Sequence, residues 1–162
     1  MKENKVTFLT QAAMLAAVYV VLCAVFEPIS YGEIQVRVAE ALVILPFFTP
    51  AAIPGLFVGC LIANLMGGSI LLDVVLGSAA TLIGAIGSYR LRFNRFLVLL
   101  PPIISNTLIV PYVLRYGYGV PLPIPFLMLT VGIGEVIAVG VLGNVLLSAL
   151  TRYRRIFPTV NA

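Results

Sequence analysis

Long stretches without a charged residue constrain this 162-residue chain more than any other feature of its sequence. Val6–Phe26 has 21 residues, Ala41–Leu72 has 32 and Phe96–Leu114 has 19, and none of these stretches contains Asp, Glu, Lys or Arg. Val74–Tyr89 and Val136–Thr151 add 16 residues each. Because a helix needs about 20 mostly apolar residues to cross a bilayer, these stretches predict an all-α integral membrane protein.

The composition excludes several other classes of protein. Charged residues make up only 10% of the chain, against about 25% in an average soluble domain. A soluble enzyme, a nucleic-acid-binding domain and a secreted disulfide scaffold are therefore excluded. The chain has no histidine, which is the commonest metal ligand and general base. Cys23 and Cys60 lie inside apolar stretches, where cysteine is usually a packing residue.

No sequence motif indicates catalysis or a cofactor. The chain has no G-x-x-x-x-G-K-[ST] loop for binding nucleotide phosphates, and no nucleophile–base pair or cluster of metal ligands is visible. We therefore expect no enzyme activity, no cofactor, no metal and no nucleic-acid partner. If ATP drives the function of this chain, a separate polypeptide must hydrolyse it.

The first apolar stretch follows Lys2 and Lys5, as the core of a signal peptide would. A signal core is typically 7–15 residues long and ends in small residues. This stretch is longer, and Leu22 precedes Cys23. We interpret it as a retained first helix.

The basic residues predict the number of membrane crossings. Lys/Arg-rich short loops lie on the cytoplasmic side, and eight of the ten basic residues fall in three clusters: Lys2 and Lys5; Arg90, Arg92 and Arg95; Arg152, Arg154 and Arg155. If all three clusters are cytoplasmic, an even number of crossings separates each cluster from the next. Between Lys5 and Arg90 lie the first stretch, the 32-residue stretch and Val74–Tyr89, so the 32-residue stretch must cross twice. Proline ends or kinks a helix, and Pro46, Pro50 and Pro54 supply the break.

The predicted architecture is a single domain, residues 1–162, that forms a compact bundle of six transmembrane helices with both termini in the cytoplasm. The predicted helices cover about 6–26, 36–48, 51–67, 73–89, 96–114 and 126–151. The outer connections are then about 27–35, 68–73 and 115–125. Five of the six acids fall in the outer half or the middle of the bundle, which is where we expect the functional chemistry.

Four ionisable residues are candidates for ligand contacts. Glu33, Arg37 and Glu40 share a helix face if the second helix begins near Ile34; they are either a salt-bridge cluster that fixes this helix or part of an outer cavity that includes Gln35. An ionisable residue inside a span normally faces the bundle interior. Glu135 is such a residue; it is either a ligand contact or a structural partner of an amide such as Asn106.

Further polar, aromatic and small residues complete the candidate set. Asn64 and Asp73 lie near the predicted outer end of the third and fourth helices. Tyr112 belongs to an aromatic group that is either an interfacial belt or a surface that stacks on a flat ring. On the first helix, two small-xxx-small pairs allow close approach of another helix, within this chain or from a partner: Ala12 and Ala16, and Ala13 and Ala17.

The sequence "IQVRVAEALVILPFFTPAAIPGLFVGCLIANL", followed by "DVVLGSAATLIGA", resembles the QueT family. These proteins are substrate-binding S components of energy-coupling factor (ECF) transporters, assigned to the uptake of queuosine precursors. The resemblance covers most of the chain and is densest from Ile34 to Ala85. It places Glu40 in the "RVAEAL" element, Asn64 in "ANL" and Asp73 in "DVV".

The resemblance implies a multi-pass subunit of the bacterial plasma membrane. It implies binding of a deazaguanine-type base and assembly with a transmembrane coupling protein and two ATPases. The alanine pairs match the A-x-x-x-A element that docks on the coupling protein. Two alternatives remain at this point: an S component for a different vitamin-like solute, and a small membrane enzyme or ion-coupled carrier.

Overall fold

The computed structural model describes residues 5–26 and 37–152, and these residues form helices joined by short turns. Six helices follow one another in the described part of the chain: α1 (Lys5–Val25), α2 (Val38–Phe47), α3 (Ala52–Met66), α4 (Leu71–Arg90), α5 (Leu97–Gly117) and α6 (Ile124–Arg152). The prediction of an all-helical protein with six helices is confirmed. Four of them, α1, α4, α5 and α6, are long and apolar enough to cross a membrane.

The two short helices lie on either side of the proline-rich break. Helix α2 contains Pro46 and ends at Phe47, Pro50 lies in the following turn, and Pro54 falls in the first turn of α3. The first turn of a helix has no internal partner for its N–H groups, so Pro54 costs α3 no hydrogen bond. The three prolines thus separate two short helices.

Helix α2 differs from the expected α-helix because it is a 3-10 helix throughout. A 3-10 helix rises about 2.0 Å per residue and places side chains at i and i+3 in line. Its ten residues therefore extend roughly 20 Å, and Arg37 and Glu40 come to the same side. Pro46, which has no N–H to donate, interrupts the hydrogen bonding near its end. Nearly every side chain of α2 is buried.

The other helices surround α2. In the order α1, α3, α4, α5 and α6, each packs against the next, while α2 contacts all five of them. The core joins all these elements through residues such as Ile44, Leu56 and Val139. Apolar side chains also cover the outside of the bundle, with Val6, Leu71 and Phe93 each about three-quarters exposed. Such an exterior suits contact with lipid.

Close packing between α1 and α3 depends on small residues. A Cβ atom at Gly55 would lie 2.6 Å from the backbone oxygen of Ala12, and one at Gly59 would lie 3.0 Å from the Cα of Ala16. Ala12 and Ala16 are accordingly buried inside the chain, whereas Ala13 and Ala17 are exposed. The two alanine pairs of the first helix therefore lie on different faces.

Candidate functional site

Buried polar side chains from all six helices meet inside the bundle, and we call this group the polar cluster. It contains Tyr19 of α1, Arg37 and Glu40 at the start of α2, Asn64 of α3, Asp73 and Thr81 of α4, Asn106 of α5 and Glu135 of α6. Each of these side chains is buried. Polar groups are normally buried in such numbers only when they bond to one another or to a ligand.

Glu40 connects α2 to three other helices. Its Oε1 accepts hydrogen bonds from the Tyr19 hydroxyl at 2.6 Å and the Thr81 hydroxyl at 3.1 Å. Its Oε2 accepts a hydrogen bond from the Asn106 amide at 3.3 Å. Because both carboxylate oxygens have protein donors, Glu40 holds the bundle together and is the least available of the acids for a ligand.

Asp73 lies nearer the end of the bundle and has a different environment. Its Oδ2 accepts from Arg37 Nη2 at 3.3 Å, in a salt bridge between two buried side chains, and from the Tyr118 hydroxyl at 3.0 Å. The Asn64 amide donates to the backbone oxygen of Asp73 at 3.4 Å. These contacts bring together residues from α2, α3, α4 and the segment after α5.

Tyr118 follows the end of α5 and is 42% exposed. Partial burial raises the pKa of its hydroxyl above the usual value of 10. The hydroxyl therefore remains protonated at neutral pH and donates to Asp73. Gly117, the residue before it, lies directly against the side chain of Ile70, so the segment after α5 packs closely on the turn that leads into α4.

Two carboxylate oxygens in the polar cluster lack a hydrogen-bond partner among the described residues, namely Asp73 Oδ1 and Glu135 Oε2. An unsatisfied buried polar group costs about 1–3 kcal/mol, and more when it is charged. Both oxygens are therefore suited to accept hydrogen bonds from a ligand. Asn106 lies between the acids, since it donates to Glu40 and also interacts with Glu135.

Asp73 packs closely against a glycine of its own helix. A Cβ atom at Gly77, one turn further along α4, would lie 2.7 Å from Asp73 Oδ1 and 3.3 Å from Asn64 Nδ2. Real Cβ atoms are essentially never found at the first of these distances. Any side chain at Gly77 would therefore displace the unpartnered oxygen from its position.

The charges of the polar cluster do not balance. Among the described residues it holds one cation, Arg37, and three acids, Glu40, Asp73 and Glu135, so acids outnumber basic residues. A low-dielectric interior makes such an imbalance costly, and a cationic ligand would reduce it.

The structure gathers six of the eight predicted ligand-contact residues into the polar cluster: Arg37, Glu40, Asn64, Asp73, Asn106 and Glu135. Tyr112 lies elsewhere, because it is exposed and stacks on Tyr116 with ring centroids 6.4 Å apart. Gln35 is outside the described residues, as is the whole of the outer connection 27–35, which includes Glu33. Two cluster residues, Tyr19 and Thr81, were not predicted to contact ligand. Tyr118, next to the cluster, was predicted only as a member of the aromatic group that includes Tyr112.

Neither an apolar groove nor a metal-binding group offers a second site for a polar ligand among the described residues. An apolar groove of about 390 Å³ lies between α5 and α6, lined by residues such as Ile103, Leu129 and Ile133. It faces outward and offers almost no polar atoms, so it cannot recognise a polar solute. Among the residues described by the structure, no three His, Cys, Asp or Glu side chains are grouped to hold a metal ion.

Ionisable side chains enclosed by apolar, membrane-crossing helices are typical of membrane transport proteins. Comparison with known proteins identifies the family. The family model described as "QueT transporter" matches residues 9–152, so the chain belongs to the QueT transporter family, as its sequence motifs predicted. The family is one of transporters, and membership together with the long apolar helices places this multi-pass protein in the bacterial plasma membrane.

A curated relative agrees with the family assignment. The protein named "Queuosine precursor transporter QueT" from Lactococcus lactis subsp. cremoris (strain MG1363) is 36% identical over 98 residues. The matched region is 59% of this chain and 57% of the relative, so the chain spans little more than half of that protein's length. No solved structure shows significant similarity to the chain.

Proposed function

We propose that this protein is the substrate-binding subunit of an ECF-type ABC importer that takes up a queuosine precursor, a deazaguanine-type base. The observation that carries the proposal is the polar cluster: a buried group of three acids and one arginine, with two unpartnered carboxylate oxygens, in a member of the QueT transporter family. The name of the relative, a queuosine precursor transporter, supports this class of substrate.

The chemistry of the polar cluster suits an aminomethyl-deazaguanine better than a neutral base. Carboxylate oxygens accept hydrogen bonds from the ring N–H groups and exocyclic amine of a deazaguanine, and amides such as Asn64 can bond to its carbonyl. An aminomethyl group is a primary amine, which is cationic at neutral pH. Its charge would offset the excess of acids in the cluster.

Identification of the bound solute tests this function most simply. The protein, produced in a bacterial host that makes queuosine, is purified in detergent, and small molecules released by denaturation are identified by mass spectrometry. We expect an aminomethyl-deazaguanine. Recovery of a different vitamin-like solute would contradict the proposed substrate. A chemically altered product formed from added deazaguanine would indicate an enzyme instead.

The exposed face of α1 is the proposed docking surface for the coupling protein. Ala13 and Ala17 are exposed and four residues apart, and small residues at this spacing allow close helix–helix contact. Ala12 and Ala16 are already used in packing on α3. We therefore assign docking on the coupling protein to Ala13 and Ala17. The two ATPases are separate subunits.

Substitution of the two alanine faces should have opposite consequences. Ala17→Leu should abolish uptake in cells that contain the coupling module, while the purified subunit keeps its stability and its ligand affinity. Ala16→Leu should instead lower the stability of the subunit, because overpacking a tight contact costs typically 1–3 kcal/mol. The measurements are cellular uptake, calorimetric binding and thermal unfolding in detergent. Normal uptake by the Ala17→Leu variant would contradict the docking assignment.

The proposed topology has six crossings with both termini in the cytoplasm. The helices support it by their directions, since α1 and α3 run parallel, while α4 and α5, and α5 and α6, run antiparallel. Helices α2 and α3 are shorter than a bilayer core of about 30 Å. They can cross only because neighbouring helices shield them.

Labelling of single cysteines tests this topology. Pro121 and Phe93 are exposed positions on connections at opposite ends of the bundle. In intact cells, a membrane-impermeant thiol reagent should label Pro121→Cys and leave Phe93→Cys unlabelled until the cells are opened. The unmodified protein is the matched control, because both native cysteines are buried. Labelling of Phe93→Cys from outside would contradict the orientation.

A further inference from the structure

Asp73 has one engaged and one available carboxylate oxygen. Oδ2 accepts from both Arg37 and Tyr118, at 3.3 and 3.0 Å, whereas Oδ1 has no hydrogen-bond partner among the described residues. The side chain is almost fully buried, with 1% of its surface exposed. Two donors on the same oxygen fix the rotation of the carboxylate, which determines where Oδ1 points.

Oδ1 points along α4 toward Gly77. A Cβ atom at Gly77 would lie 2.7 Å from it, so the oxygen lies close against the helix where only a glycine permits it. The Asn64 amide and Arg37 Nη1 lie 3.3 and 3.7 Å from the same point, and the amide is held by its hydrogen bond to the Asp73 backbone. The negatively charged oxygen therefore lies next to a fixed amide and is without a hydrogen-bond partner among the described residues.

We infer that Asp73 Oδ1 is the subsite for a primary ammonium group of the ligand, and that Tyr118 is the positioning residue that directs this oxygen into it. The inference rests on the proposed function and goes beyond it, because it distinguishes Asp73 from the other acids. Glu40 is fully engaged by three donors, and Glu135 lies toward the middle of α6, where it interacts with Asn106.

Tyr118 acts through Asp73, so its effect should depend on the ligand. Without the hydroxyl, Arg37 is the remaining donor to Oδ2 among the described residues, and the carboxylate can rotate so that both oxygens face the guanidinium. This rotation removes Oδ1 from the subsite. A ligand with an ammonium group loses its charge partner, whereas a ligand without one loses little.

The test compares two ligands and three variants by titration calorimetry. Tyr118→Phe should weaken binding of aminomethyl-deazaguanine roughly tenfold, as expected for the loss of a hydrogen bond to a charged group, and should barely change binding of deazaguanine. Gly77→Ala, whose Cβ atom would displace Oδ1, should show the same selectivity. Tyr116→Phe is the matched control, because this tyrosine is 72% exposed, and it should bind both compounds like the wild type.

Three results would overturn the inference. Equal weakening for both compounds in Tyr118→Phe would mean that this residue is structural, and thermal unfolding in detergent would register the lost stability. Unchanged binding of both compounds would mean that Tyr118 does not position Asp73. If the wild type binds neither compound, the proposed function fails and the inference fails with it; if the wild type binds both and only the variants disagree, the proposed function stands.

Discussion

Replacement of Glu40 by alanine is expected to destabilise the protein more than any other single substitution in the polar cluster. The change removes the acceptor for three buried donors on three helices, Tyr19, Thr81 and Asn106. It also leaves Arg37 with one fewer nearby negative charge. Removal of one partner from a buried charged network typically costs about 3–5 kcal/mol, which is a large share of the stability of a small domain.

Thermal unfolding of the purified subunit in a mild detergent measures this effect. Tyr19→Phe is the matched control, because it removes one of the three donors and leaves the acid in place. We expect a clearly smaller loss of stability for Tyr19→Phe than for Glu40→Ala. Equal unfolding temperatures for Glu40→Ala and the wild type would contradict the structural role of this residue.

The second large effect is expected for Asp73→Asn, and it concerns affinity. The substitution keeps the shape of the side chain and removes the charge that would pair with an ammonium group. Loss of one partner from a buried, hydrogen-bonded charge pair costs about 2–5 kcal/mol, which is roughly 30- to several-thousand-fold in affinity. We expect this loss for aminomethyl-deazaguanine and a much smaller one for deazaguanine.

Glu135→Gln is the matched control for Asp73→Asn. It also replaces a buried acid by its amide, but at a position farther from the proposed ammonium subsite. We expect it to affect both compounds to a similar extent, as measured by calorimetry on protein whose unfolding temperature has been checked. If both amide variants bind both compounds like the wild type, the acids are structural and the site assignment is wrong.

The helices were predictable because the constraint that produces them is simple. A chain in lipid must satisfy its backbone hydrogen bonds internally, so long apolar stretches such as Val6–Phe26 can be read directly as helices. The three prolines also indicated that the 32-residue stretch is divided. The 3-10 geometry of α2 was not predictable, because it depends on packing against α1, α3, α4 and α6.

The cluster could be predicted only in part from the sequence. Arg37, Asp73 and Glu135 stand out because ionisable residues are costly in a membrane. Tyr19 and Thr81 carry no such signal, since one tyrosine or threonine in an apolar helix is common. The partners of each acid were also beyond sequence reasoning: Glu40 bonds to residues 21, 41 and 66 positions away.

The two alanine pairs of α1 show a similar limit of prediction from the sequence. The spacing of Ala12 and Ala16 is the same as that of Ala13 and Ala17, so the sequence cannot say which pair faces another helix of the same chain. Gly55 and Gly59 of α3 decide the matter by packing against Ala12 and Ala16. The other pair is therefore exposed.

The central claim is that the excess of acids in the polar cluster selects a cationic deazaguanine. Titration calorimetry of the unmodified protein with aminomethyl-deazaguanine and with deazaguanine tests it directly, because the two compounds differ in the aminomethyl group. We expect the aminomethyl compound to bind at least roughly tenfold more tightly, as for a charge pair formed in a buried site. Equal affinity for the two compounds, or tighter binding of the neutral one, would contradict the claim.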